Sequence, residues 1–219
     1  MIDSYENIAV EFFPVGMMEV NCYMVYDKAT RKGILIDPGD EGSKIYERIA
    51  SQGITITKIV LTHGHGDHIG GLEYLREKLE VKVAMGLRDA EMITNSTLNL
   101  SDALGQRIDL DPPEILLVEG DHIKVGNLNL NVLDTPGHTE GSICLVGNGF
   151  VICGDLIFAG SIGRVDLPGG DYEIIINSIK EKILTLDDNY ILYPGHGPKT
   201  SVAQEKIYNP FLIGETDGI

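Results

Sequence analysis

The chain has 219 residues, long enough to bury a sizeable core without disulfides. Its 17 Lys and Arg against 33 Asp and Glu give a formal net charge of −16, which argues against nucleic-acid or anionic-membrane partners because like charges repel. At 43% hydrophobic it is too apolar for a disordered acidic chain, and no run approaches the ~20 apolar residues of a membrane span. Met1–Asn7 lacks the basic start and apolar run of a secretory leader. Cys22, Cys144 and Cys153 have no metal-type spacing, and Cys144 and Cys153 lie in apolar runs. They read as buried free thiols in a reducing, cytoplasmic setting.

In chain order, short apolar runs ending at turn residues predict strands at Val10–Phe13, Cys22–Tyr26 and Gly33–Asp37. Ile45 and Ile49, four apart with Gly53 as a stop, predict a helix. A strand at Lys58–Leu61, a helix with Leu72, Leu75 and Leu79 on one face, and a strand at Lys82–Met85 follow. Leu87–Pro113 reads as a helix and then a long excursion, of the kind that is often functional. The second half resembles the first, with strands at Leu128–Leu133, Ser142–Val146 and Phe150–Cys153, a helix over Asp171–Leu186 with Asp171 as N-cap, and a strand at Tyr190–Tyr193. Two packed sheets with helices outside, an α/β four-layer αββα sandwich forming one domain over 1–219, is the expected architecture.

Five of the six histidines share one kind of address. His63, His65 and His68, with Asp67, lie in Thr62-His63-Gly64-His65-Gly66-Asp67-His68, between a strand and a helix. His138 in Gly137-His138-Thr139 and His196 in Gly195-His196-Gly197 each follow a strand, as does Asp155 in Cys153-Gly154-Asp155. Strand ends deliver such loops to one edge of a sheet, and the glycines allow sharp turns close to a small object. Imidazole and carboxylate suit Zn²⁺, with Fe and Mn²⁺ also accepted. Seven candidates exceed one four-coordinate ion and suit two divalent ions sharing a carboxylate and a water. His122, in a polar turn, reads as an ordinary surface histidine.

This ordered motif set resembles the metallo-β-lactamase superfamily over essentially the whole chain. The resemblance implies the αββα fold, with His63, His65 and His138 on one metal, Asp67, His68 and His196 on the other, and Asp155 bridging. A carboxylate at Asp155, where lactamases proper often have Cys or Ser, is similar to the hydrolase and lactonase branches. His65 departs from the flavodiiron pattern, which has Glu there. Gly160–Asp171 and Tyr208–Phe211 resemble the small glyoxalase II-like group, the hydroxyacylglutathione hydrolases.

Two cations lower the pKa of a shared water toward neutrality and polarise a thioester carbonyl. Asp67 can ligate and orient the nucleophile, and a thiolate leaves without a dedicated acid. The expected function is hydrolysis of small thioesters. The C-terminal glutathione contacts of larger glyoxalase II enzymes are not carried over to the 23 residues that follow His196. Arg164 fits two roles, meeting a substrate carboxylate or pairing with Asp166 or Asp171. The Leu87–Pro113 excursion reads either as a cover for the cleft or as a solvated loop. Persulfide dioxygenases, which use one iron on the equivalents of His63, His138 and Asp155 and carry a loop like Gly163–Asp166, are the alternative, beside lactonases and other acyl hydrolases. An RNA-processing nuclease is disfavoured by the charge.

Overall fold

The computed structural model describes residues 2–103 and 105–214. Seven strands form the first sheet in sequential order: β1 (Ile2–Tyr5), β2 (Ile8–Val15), β3 (Val20–Asp27), β4 (Lys32–Ile36), β5 (Thr55–Leu61), β6 (Lys82–Gly86) and β7 (Ile115–Leu117). The first four run antiparallel to their neighbours; from β4 onward the pairing is parallel, with crossovers through α1 (Gly42–Gln52) and through α2 (Gly66–Ile69) and α3 (Leu72–Leu79). The second sheet is built from β8 (His122–Val125), β9 (Leu128–Asp134), β10 (Ile143–Gly147), β11 (Phe150–Gly154), β14 (Ile191–Pro194) and β15 (Thr200–Ser201). A small hairpin, β12 (Ile157–Phe158) with β13 (Ser161–Ile162), follows β11. Helices α4 (Tyr172–Ser178), α5 (Val202–Tyr208) and α6 (Pro210–Ile213) belong to this half.

The strands read as unbroken apolar runs because both of their faces are buried. Tyr23, Val25, Ile34, Ile36 and Val60 of the first sheet share one cluster with Val132, Leu145, Phe150 and Ile152 of the second. The alternate residues Met24, Leu35, Ile59 and Leu61 pack outward on Ile45, Ile49, Leu72 and Leu75 of α1 and α3. Cys144, Val151 and Leu192 pack outward on Ile175, Ile179 and Ile183. The period of two thus assigns successive side chains to different layers, giving helix, sheet, sheet, helix.

Several elements differ from expectation. The first predicted strand extends to Ile8–Val15, and β1, β7, β8, β12, β13 and β15 are too short or too polar to stand out. His122 is exposed as expected, but at the start of β8. The helix after Asp171, which is the expected N-cap and accepts from Ile174 N–H, is regular only to Ser178 and continues as a π turn over Ile179–Ile183. Ile175, Ile179 and Ile183 are strictly four apart, so on a regular helix their stripe precesses by about 40° per step; the wider turn swings it back, leaving all three fully buried. Leu87–Pro113 holds two single 3₁₀ turns, Leu87–Asp89 and Met92–Thr94, in place of a helix. All three cysteines are free and buried. Among the described residues no helix is long and apolar enough to cross a membrane.

Candidate metal centre

Five strand ends on one edge of the sandwich carry the site: β4 leads to Asp37, β5 to His63–His68, β9 to His138, β11 to Asp155 and β14 to His196. The two sheets are tied there by the Ile143 N–H, which donates to the Thr62 carbonyl at 2.9 Å. Glycines set the spacing around Asp155. A Cβ on Gly195 would collide with the Asp155 carboxylate and the His68 ring, and one on Gly163 with the Asp155 carbonyl.

All seven predicted residues converge. Ligand atoms of His63, His65 and His138 lie within 4.8 Å of one another, as do those of Asp67, His68 and His196. Asp155 stands between the two groups: one carboxylate oxygen is 3.4 Å from His68 Nε2, the other 3.7 Å from His138 Nε2 and 3.5 Å from His196 Nε2. His65 Nδ1 and His138 Nε2 approach to 3.0 Å. His196 Nε2 is 3.3 Å from Asp67.

The outer nitrogens are spoken for, which decides what the inner ones offer. His138 Nδ1 is 2.8 Å from the Arg164 carbonyl, and His196 Nδ1 is 3.0 Å from the Met18 carbonyl. A carbonyl only accepts, so both rings carry their proton on Nδ1 and aim the Nε2 lone pair inward. His68 Nδ1 is held at 3.0 Å by Asp37. His63 Nδ1 faces Thr62 Oγ1, which donates to the same Asp37 oxygen at 2.6 Å. Such outer partners fix ring orientation in metal sites. Inside, the buried His63 Nε2, His65 Nε2, His68 Nε2 and Asp155 Oδ1 have no hydrogen-bond partner. Unpaired buried polar atoms are costly and call for a ligand, and this donor set fits divalent cations.

Charge divides the site in two. Burial, and then the facing histidines, push His63 well below the usual imidazole range and His65 down to about 4, so both are neutral donors. Burial opposes protonation of His68 and His196 as well, but Asp155 and Asp37 outweigh it at His68, and Asp67 and Asp155 at His196, raising both. Burial likewise works to raise Asp67 and Asp155, yet the surrounding imidazoles hold both low and ionised.

Sequence reasoning missed the supports. Asp37, the last residue of the strand expected at Gly33–Asp37, also forms a group with His63 and His68; its carboxylate is already engaged by Thr62 N–H, Thr62 Oγ1 and His68, which makes it a holder of rings. Its signal was available, since it ends an apolar strand before Pro-Gly much as Asp155 ends another. Buried Asp89 accepts from Gly64 N–H, Thr139 Oγ1 and Gly141 N–H, joining the two histidine loops. Buried Asn21 donates to the Pro194 and Gly197 carbonyls on either side of His196.

A cavity of about 440 Å³ opens on this cluster. Asn99, Leu100 and Ala103 of the 87–113 excursion form part of its wall, so that segment does border the cleft. The segment is also anchored: Asn99, fully buried, donates to the Met92 and Ile108 carbonyls, and its own carbonyl accepts from Gly66 N–H. Arg164 reaches the same cavity, but its guanidinium is held by Asp166 through bonds of 2.9 and 2.8 Å.

Relatives agree with this fold. The chain is 40% identical to a probable metallo-hydrolase, YqgX of Bacillus subtilis, over 92% of this chain and 96% of that protein. It is 34% identical to hydroxyacylglutathione hydrolase GloC of Haemophilus influenzae, over 93% and 97%. Among solved structures, the BLEG-1 B3 metallo-beta-lactamase superposes with a TM-score of 0.90 at 32% identity, covering 94% of this chain and all of that one. TTHA1623 in a di-iron-bound form gives 0.82 at 33%, covering 93% and 100%, and ETHE1 from Myxococcus xanthus gives 0.76 at 27%, covering 96% and 91%. Residues 15–196 match the family over most of the chain, and with the fold and relatives in agreement, the protein belongs to the metallo-beta-lactamase superfamily of metal-binding, mostly hydrolytic proteins.

Proposed function

We propose that the protein is a dinuclear metal-dependent hydrolase of small thioesters, acting in the cytoplasm. His63, His65 and His138 would hold one divalent ion, Asp67, His68 and His196 the other, and Asp155 would serve both. The observation that carries this reading is the position of Asp155 between two complete triads, with His63 Nε2, His65 Nε2, His68 Nε2 and Asp155 Oδ1 buried and without partners. Zn²⁺ is the proposed metal; Fe suits the same donors, and TTHA1623 was solved with two irons. When bound, such ions supply an acidified water and polarise the acyl carbonyl. Asp67, ionised and on the cavity wall, orients the attacking water. The thiol leaves as thiolate into the open side of the cavity. The relationship to GloC supports an acyl-thioester substrate.

The test pairs elemental analysis of the purified protein with a thioester panel that includes S-lactoylglutathione. Two metals per chain and thioester hydrolysis are expected. His65→Ala and Asp155→Ala should each lose metal and at least about 100-fold in kcat/KM; full activity in either contradicts the assignment. The likeness to ETHE1 keeps a second reading in view, a single iron on His63, His138 and Asp155 with oxygen consumed on a persulfide. One iron per chain and no thioester hydrolysis would favour it, whereas the assembled second triad supports the dinuclear reading.

A further inference from the structure

Seven non-glycine residues of the described chain have positive φ. Six are charged; the seventh is Leu100, at φ 64°. A leucine in the left-handed region is strained, and glycine would fill that backbone position with less cost. The strain is imposed by its neighbours. Asn99 is fixed by the Met92 and Ile108 carbonyls, and Ser101 is fixed by its N–H to Asn99 Oδ1 and by the Ile108 N–H on its hydroxyl. Leu100 lies between these two anchors and lines the cavity over the metal centre. What the strained position retains is therefore an apolar side chain presented to the substrate.

The rest of that wall has the same character. Met18, Ala103, Phe158 and Leu167 line the cavity together with His65, Asp67, His138, Asp155 and His196. The backbone of Met18 is held at the cavity rim, because its carbonyl accepts from His196 Nδ1. Among the described residues, the one Lys or Arg on the cavity, Arg164, is paired with Asp166. Away from the metal positions, a wall of Leu100, Met18, Phe158 and Leu167 has little to offer a carboxylate or a hydroxyl, and much to offer methylenes.

We infer that the site prefers thioesters of unbranched aliphatic acids, with the acyl chain seated on Leu100, Met18, Phe158 and Leu167, and that Leu100 sets this specificity. The inference deepens, and rests on, the thioesterase reading. In the reaction the C–S bond breaks with its electron pair on sulfur, water gives its oxygen to the acyl carbon, and one water proton ends on the thiolate after it has left. The other is released when the carboxylic acid ionises.

The experiment uses the full-length, metal-loaded protein and N-acetylcysteamine thioesters of acetate, butanoate, hexanoate and D-lactate, together with calorimetric binding of hexanoate and lactate. The expected result is a kcat/KM that climbs by about fourfold per added methylene up to hexanoate, with hexanoate binding more tightly than lactate. Leu100→Gly and Leu100→Asn, both suited to positive φ, should match or exceed the parent in Tm while cutting the hexanoyl-to-acetyl ratio of kcat/KM about tenfold. A flat chain-length series, a lactoyl thioester hydrolysed better than the butanoyl one, or an unchanged ratio in both variants overturns the inference and leaves the thioesterase reading intact. No hydrolysis of any thioester with two metals bound overturns that reading instead. The binding arm then decides the cavity on its own: hexanoate no tighter than lactate overturns the apolar assignment, and tighter binding that both Leu100 variants weaken upholds it.

Discussion

At the residue scale, the ligand candidates were legible because histidine is scarce in this chain and four of the five, all but His68, sit directly beside glycine in loops that follow strands. The residues that hold them were not, because their work is done through distant backbone. Asp89 lies 25 residues from Gly64 and 52 from Gly141, and no local spacing announces either contact. Its three donors compensate a carboxylate that burial pushes above its usual range. Asp89→Asn keeps the shape but replaces one acceptor oxygen with a donor, which faces N–H groups and a hydroxyl. It is expected to lower metal affinity and kcat/KM by about 10- to 100-fold, as loss of a supporting contact does, with metal affinity read by chelator competition. Parental affinity in this variant would show that the two histidine loops do not depend on Asp89. Arg164 shows the opposite limit: both of its roles were visible in sequence, and geometry selects the pair with Asp166. The guanidinium holds Asp166 at about 2, below its ordinary value of 3.8. A depressed carboxylate keeps its pairing above the ordinary range and loses it only as pH falls toward that lower value. The pairing of Arg164 with Asp166 therefore persists throughout pH 5 to 9. Asp166→Asn should raise kcat/KM on an anionic thioester about threefold at low salt, uniformly across that range, with no effect on a neutral one. An unchanged rate on the anionic substrate would mean that Arg164 does not meet it.

At the element scale, alternation and helix spacing recovered the central strands and both crossover helices, since burial on two faces leaves a strong signal. They failed where an element is short or where its partner is remote. β1 has an exposed and half-exposed pattern with no apolar run, and its place comes from pairing with β2. The clamp between α1 and the first sheet was invisible for a related reason. Glu11 on β2 is fully buried and looks like an error in an apolar strand. Arg48 and Gln52, on one face of α1, both donate to its carboxylate, the Arg48 Nε at 2.7 Å. Removing a partner leaves a buried charge uncompensated. Arg48→Met, which keeps the apolar stem, should cost about 2 kcal/mol, less than for a wholly buried pair because the Arg48 side chain is 42% exposed. The double variant Arg48→Met with Glu11→Gln should recover much of that in urea unfolding. A loss in the double variant equal to the sum of the two single losses would show that the groups do not interact.

At the scale of the whole molecule, the metal centre spans the seam between the sheets. His63, His65, Asp67 and His68 follow β5 of the first sheet, whereas His138, Asp155 and His196 follow β9, β11 and β14 of the second. Beneath them the sheets adhere through a shared apolar cluster, but at this edge the facing groups are polar and several lack partners. Without cations the edge leaves ligand atoms facing one another without partners, with His63 facing His65 and His138 at ring separations of 4.8 and 4.9 Å. Ions that bind only the folded chain would stabilise it by about 4 kcal/mol at free metal a thousandfold above Kd, which for a chain of this length is about 10 °C in Tm. Calorimetry of the loaded protein with and without a strong chelator should show that drop. His65→Ala, with its first triad broken, should lose about half of the chelator response, while Arg48→Met should lower Tm and keep the response whole. The two variants thus separate the apolar interior, which sets the baseline stability, from a polar edge whose stability is borrowed from the ions. A wild-type Tm indifferent to chelation, with metal shown to be removed, would mean that the loops are fully pre-organised by Asp37, Asp89 and Asn21 and that the ions contribute to chemistry alone.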